Sequence, residues 1–210
     1  KKYLEEDTQN EVLQITAENI LKKSPEKLIT HYHLVRDHMK DPENQLRKAV
    51  DICKNNAYVL ILGYRHYREI VEDAPTILQQ AAIDDPATAF RDFDSFGNFE
   101  PDAEQALTAA AEAITWQQGS YVTEKMDKFI KKPYAAKIYV ILTEKLPYQT
   151  AEGFSKISQL EDADEEIKKA LLNYKDKAPG VLLALYGSSI REESTDDQDK
   201  EELKKRISKE

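Results

Sequence analysis

The sequence predicts an all-α protein, a multi-helix orthogonal bundle or short α-solenoid of about ten to twelve short helices with no significant sheet. Three observations predict it. Ser or Asp followed by Pro and an acid recurs at Ser24-Pro25-Glu26 and Asp41-Pro42-Glu43, and Asp85-Pro86 shares the first two residues. Such a residue can accept a hydrogen bond from a free N–H of the first helical turn, where proline's missing donor does no harm. Apolar residues recur three and four apart along most of the chain, the spacing of one helix face. No segment alternates apolar and polar residues long enough for a strand, and two-residue hairpin signals such as Asn-Gly are missing.

The elements follow in order. Thr8 and Glu11 have capping-box spacing ahead of a helix carrying Val12, Ile15, Ala17, Ile20 and Leu21. The next carries Leu28, Ile29, Tyr32, Val35 and Met39, and the third Leu46, Ala49, Val50 and Cys53. After the break at Asn55-Asn56 a fourth helix runs from Ala57 to Val71, apolar on most sides from Tyr58 to Leu62 and then narrowing to Tyr64, Tyr67, Ile70 and Val71. A helix apolar all round belongs near the centre. Ile77, Leu78, Ala81 and Ala82 mark a short helix, and Ala89, Phe90 and Phe93 a stub that enters the loop Asp94 to Phe99. Ala103, Ala106, Leu107, Ala110 and Ile114 follow on one stripe, and Gly119 suits a left-handed cap after Trp116.

The second half continues with Val122, Met126, Phe129 and Ile130, then Tyr134, Ile138, Ile141 and Leu142, then Phe154, Ile157 and Leu160. Asp162 and Glu165 cap a helix through Ile167, Ala170, Leu171 and Tyr174, and Pro179 opens a last apolar one that Gly187 ends. Residues 1–190 therefore read as a single helical domain. Residues 191–210 are almost wholly charged, with Leu203 and Ile207 as the one apolar stripe, too little buried area to offset ordering entropy, so they read as a tail or peripheral helix. Ala57-Tyr58-Val59-Leu60, Pro133-Tyr134-Ala135-Ala136 and Pro179-Gly180-Val181-Leu182 each open an apolar helix after a polar linker, at irregular spacing. That leaves bundle and solenoid both open, with tetratricopeptide and ankyrin signatures missing.

Composition narrows the function classes. The 210 residues carry a formal charge of −9, which repels a phosphate backbone, so nucleic acid is not an expected partner. The apolar run from Ala57 to Gly63 is closed by Arg65, His66 and Arg68, well short of the roughly 20 residues of a membrane span. The single cysteine, Cys53, sits in apolar register and reads as a small core residue, so neither an internal disulfide nor a cysteine metal cluster is expected. The cytoplasm is the default location, with secretion or delivery into a host left open because the sequence begins at Lys1 rather than Met.

Candidate chemistry is sparse. His31 and His33, two apart on a helix, point away from each other, while His31 and His38 share a face. His66, Glu69 and Asp73 form one polar stripe on the central helix, with Glu72 beside it and Arg65 placed to pair with Glu69. No histidine has a glutamate three residues before it, so a di-iron bundle is not indicated. Asp92-Phe93-Asp94-Ser95-Phe96-Gly97 imitates the opening of a calcium loop, but positions five and twelve are Phe96 and Ala103, and a turn anchored by its phenylalanines explains the same residues. Nucleophile elbows, phosphate loops and dinucleotide fingerprints are missing. No metal site and no cofactor is expected.

Eleven tyrosines stand against one tryptophan and six phenylalanines. Among them Tyr64 and Tyr67, three apart with Arg68 beside them, are the first candidate contact patch, since these residue types dominate binding hot spots. The expected function is a helical protein–protein interaction module without catalytic activity, whose partner is another protein. The alternative is a small helical enzyme or ligand-binding protein with its site near His66, Glu69 and the 90–99 loop.

Overall fold

The computed structural model describes residues 12–150, apart from 13, 14, 17, 21, 130, 131, 147 and 148. The expected cap at Thr8 and Glu11, the helices expected around Phe154, from Asp162 to Tyr174 and from Pro179 to Gly187, and the 191–210 tail lie outside the described residues. Within them the backbone is helical and holds no strand, as the periodicity predicts. The helices with both ends placed are α1 (Pro25–Val35), α2 (Pro42–Ile52), α3 (Ala57–Tyr67), α4 (Ala74–Asp84), α5 (Pro86–Arg91), α6 (Asp102–Ala113), α7 (Gly119–Phe129) and α8 (Ala135–Lys145). Short 3₁₀ turns lie at Arg36–His38, Phe93–Ser95 and Trp116–Gln118. No helix among the described residues is long and apolar enough to cross a membrane.

Local signals set the helix starts unevenly. Asn56 and Asp85 accept hydrogen bonds from the backbone N–H of Val59 and Thr88, so α3 and α5 are capped by side chains. Ser24 and Asp41 make no such bond. Asp41 instead sits at φ 54°, and its carboxylate accepts from the Asn44 amide. Proline occupies the first turn of α1, α2, α4 and α5, where its fixed φ suits the helix.

The helix starts carry a register that the sequence reading missed. Odd helices begin at 25, 57, 86 and 119, and even ones at 42, 74, 102 and 135, so each unit repeats after 32, then 28 or 29, then 33 residues. Equivalent positions are buried alike. Leu28, Leu60, Ala89 and Val122 recur on the odd helices; Leu46, Leu78, Ala106 and Tyr139, then Ala49, Ala81, Ala109 and Leu142, recur on the even ones. Packing follows chain order: α1 lies on α2, α3 on α4 and α5 on α6, while α1–α3, α5–α7, α4–α6 and α6–α8 join one hairpin to the next.

Alternate helices run in the same direction. Lys137 pairs with Glu104 and Lys145 donates to the Glu112 carbonyl, which aligns α8 with α6. Ile29 against Gly63 and His33 against His66 align α1 with α3. Stacking neighbours in this way buries a face that one hairpin could not bury alone. Alanines at 103, 106, 110 and 111 keep α6 slender on its buried side, and α4–α6 is the most extensive helix pair.

Two boundaries differ from expectation. The central helix ends at Tyr67 rather than Val71, because Ile70 N–H bonds to the Tyr67 carbonyl three residues back and tightens the chain into a turn. Gly119 is no left-handed cap: it lies at φ −62° and opens α7, while α6 ends where Ile114 turns extended and the Thr115–Gln118 capping box starts a new helical turn. The 90–99 segment is anchored by aromatics, as predicted. Phe93 and Phe96 are buried edge to face, and Phe129 meets both Phe90 and Phe93. A side chain at Gly97 would come within 2.4 Å of the Phe93 ring, so this turn requires glycine.

Candidate functional site

Helix α3 carries most of the residues singled out in the sequence, and the fold sends them to different places. Tyr64 and Tyr67 are fully buried. The Tyr64 hydroxyl donates to Asp102 Oδ2 at 2.6 Å, Arg68 Nε donates to the same oxygen at 2.9 Å, and Asp102 itself is only 8% exposed at the start of α6. Tyr67 donates to the Leu60 carbonyl at 3.1 Å and meets Tyr64 edge to face. Burial, then the bond to Asp102, drives the Tyr64 hydroxyl well above the usual tyrosine range, and burial does the same to Tyr67. Both stay protonated donors.

A surface patch of Tyr64, Tyr67 and Arg68 is therefore not available in this fold. The two rings fill the seam between α3 and its neighbours, and only Arg68 reaches solvent, packed over Phe99 at 5.1 Å and paired with Glu69. Tyrosine has an apolar body and a polar tip, so sequence alone cannot separate seam from surface. The deciding partner, Asp102, lies on another helix and carries no signal that names Tyr64.

The expected polar stripe also separates, because α3 ends at Tyr67, before Glu69 and Asp73. Glu69 pairs with Arg68 rather than with Arg65, and both Glu69 and Asp73 are exposed. His66 turns inward onto α1, stacking on His33 at 5.1 Å with Tyr32 at 6.3 Å, and accepts from Arg65 Nε at 3.3 Å. Burial first, then the charges of Arg65 and His33, push its pKa down to about 4, so the ring is neutral at pH 7. His31 Nδ1 and Thr30 Oγ1 are 2.8 Å apart at a kink in α1, and His38 lies beyond α1 in the following turn, so His31 and His38 do not share a helix face. Among the described residues no three His, Cys, Asp or Glu side chains converge on a point that could hold a metal ion.

The acids of the calcium-like stretch turn to different cations. Asp92 accepts from Arg91, and Asp94 is held by Lys128. Cys53 is buried, and its thiol is pushed up by burial and by Glu26, an inert core environment. An open cleft of about 350 Å³ does form where α3 meets the turn after α5, lined by Thr30, His31, Leu62, Arg65, Asp94 and Ser95. His66 and Glu69 are not in its wall. The central helix and the 90–99 loop thus come together, through residues one turn away from those expected.

The most conspicuous apolar surface lies elsewhere. Trp116, the one tryptophan, is 71% exposed in the turn between α6 and α7, and Tyr121 five residues on is 40% exposed. The backbone beneath is fixed: Thr115 and Gln118 form a capping box, and the Trp116 carbonyl accepts from Gln149. From Ala113 to Thr123 no residue is charged, in a chain where 33% of residues are. Among the described residues the chain is thus all helical, with Trp116 exposed in an uncharged stretch of sequence between α6 and α7. It matches no protein-family model, and neither a curated protein nor a solved structure matches it significantly.

Proposed function

We propose that the chain is a non-catalytic helical interaction module, a short α-solenoid of stacked hairpins that holds another protein through the corner between α6 and α7. The observation that carries this reading is Trp116, 71% exposed on a turn capped by Thr115 and Gln118, with Tyr121 five residues on also exposed. Trp and Tyr dominate measured binding hot spots, and the cores of interfaces are depleted of charge. A tryptophan left in water on a rigid backbone gains most when a partner covers it. The stacked register supports the same reading, because hairpin arrays present long, continuous surfaces to their partners.

The single tryptophan also makes the test direct. Proteins crosslinked to the wild-type chain in a lysate of its source cell are identified, and the captured one is purified and titrated against wild type and Trp116→Ala. A blue shift and saturation of the Trp116 fluorescence, with capture lost in the variant, are the expected result. Capture unchanged by the variant, or binding that leaves the emission where it was, overturns the assignment to this corner.

A further inference from the structure

The cleft is built by successive hairpins at one register. Counting from the start of each odd helix, His33, Arg65 and Asp94 occupy the same ninth place, and the cleft runs from Thr30 and His31 on α1 across Leu62 and Arg65 on α3 to Asp94 and Ser95 after α5. It is therefore a groove along the stack rather than a pit within one unit.

Its charge is unusual for this chain. Arg65 is exposed, and its Nε is engaged with His66, yet it forms no ion pair among the described residues, because Glu69, the acid one turn on, is taken by Arg68. The one carboxylate in the wall, Asp94, is neutralised by Lys128. The groove thus offers an uncompensated guanidinium with two free amino ends, the Ser95 hydroxyl nearby and Leu62 as an apolar floor, on a protein whose formal charge is −9. A guanidinium in that state matches the planar fork of a carboxylate.

We propose that this groove receives a short acidic segment of a partner protein, with a glutamate or aspartate carboxylate on Arg65. The proposal rests on the reading of the chain as an interaction module and adds the chemistry of what it selects. A carboxylate segment suits the groove better than a polynucleotide, whose dense phosphates meet the repulsion of the whole acidic surface.

Fluorescence anisotropy of the full chain with a short labelled peptide of glutamate and glycine, against its glutamine counterpart, tests the assignment. The acidic peptide binds saturably and the neutral one does not, added salt weakens the binding, Arg65→Gln lowers the affinity roughly tenfold, and Arg65→Lys keeps part of it. Circular dichroism establishes that both variants remain helical. Equal binding of the two peptides, no saturable binding of the acidic one, retention by Arg65→Gln, or stronger competition by a single-stranded oligonucleotide overturns the proposal. Trp116→Ala separates the two readings. If it abolishes partner capture while the acidic peptide fails to bind, the groove falls and the module stands; if the peptide binds through Arg65 while capture ignores Trp116, the groove stands and the corner falls.

Discussion

Two seams hold α3 in the stack, and they treat buried polar groups in opposite ways. Against α6, the Tyr64 hydroxyl and the Arg68 guanidinium converge on one oxygen of Asp102, so charge, counter-charge and donor are all present. Against α1, His66 stacks on His33 beside Arg65, and every charge acting on it, from Arg65, His33 and His31, is cationic. Asp94, the carboxylate that lines the cleft, is bound to Lys128, and the charges that act on His66 come from neither α2 nor α4. The first seam is complete in itself. The second has only a backbone bond to Thr30 to favour a charged imidazole, so two joints on one helix differ in their response to acid.

Breaking the first seam has the largest expected effect. Asp102→Ala leaves the Tyr64 hydroxyl and part of the Arg68 guanidinium buried without a partner, which costs about 3 to 4 kcal/mol. The urea midpoint should fall at unchanged slope, and Tyr64→Phe, which removes a donor but leaves the ion pair, should fall by only about 1 kcal/mol. Equal losses for the two variants would mean that the ion pair is idle.

Between pH 6.5 and about 4, acid should act on the second seam. His66 has a folded pKa of about 4 against its ordinary 6.5, so between those values the unfolded chain binds the proton and the folded chain does not. The contribution of His66 is therefore whole above pH 6.5 and is lost as pH falls through 6.5 to about 4, a decline of about 3 kcal/mol at most. His66→Gln should flatten the stability profile across that window without moving the Asp102→Ala deficit. A profile as steep in the variant as in wild type would place the acid response elsewhere.

A smaller effect comes from the closeness of α1 and α3. A side chain at Gly63 would lie 2.2 Å from Ile29 Cγ2 and 3.3 Å from the Ile29 carbonyl oxygen. Gly63→Ala gains helix propensity but must push the helices apart, for a net loss of about 1 to 2 kcal/mol. Ile29→Ala removes the clashing methyl, so the double variant should be more stable than the sum of the two losses predicts. Strict additivity would show that the seam has room.

The all-α class was legible because it rests on local signals: the 3.6-residue periodicity and the punctuation at Ser24, Asp41 and Asp85. The core was largely legible too, from Leu28, Leu46, Leu78 and Ala110 to Cys53. The repeat was not, because equivalent places hold Leu60 and Ala89, or Ala106 and Tyr139, which keep burial without keeping identity. What the repeat preserves is spacing, and the step of 28 or 29 residues at the 90–99 segment blurs even that. The site was least legible. Tyr64, His66 and Arg65 are close in sequence yet answer to Asp102, His33 and the turn after α5, and which partner each finds is a property of stacking, not of helical spacing.

Trp116 shows the limit of reading helices one at a time. It follows α6 at a break that the sequence marks by the Thr115–Gln118 spacing and by the glycine three residues later, and it is 71% exposed. Trp116→Ala should therefore change stability by less than about 0.5 kcal/mol, the smallest effect of the series, since exposed substitutions away from buried contacts are nearly silent. Thr115 and Gln118 hold the turn whatever stands at 116, so the far-ultraviolet dichroism should not change. A silent fold with lost partner capture separates a residue kept for recognition from one kept for packing. A loss of stability comparable to that of Gly63→Ala would instead show that the ring packs against the stack in solution, and would return it to the same class as Tyr64 and Tyr67.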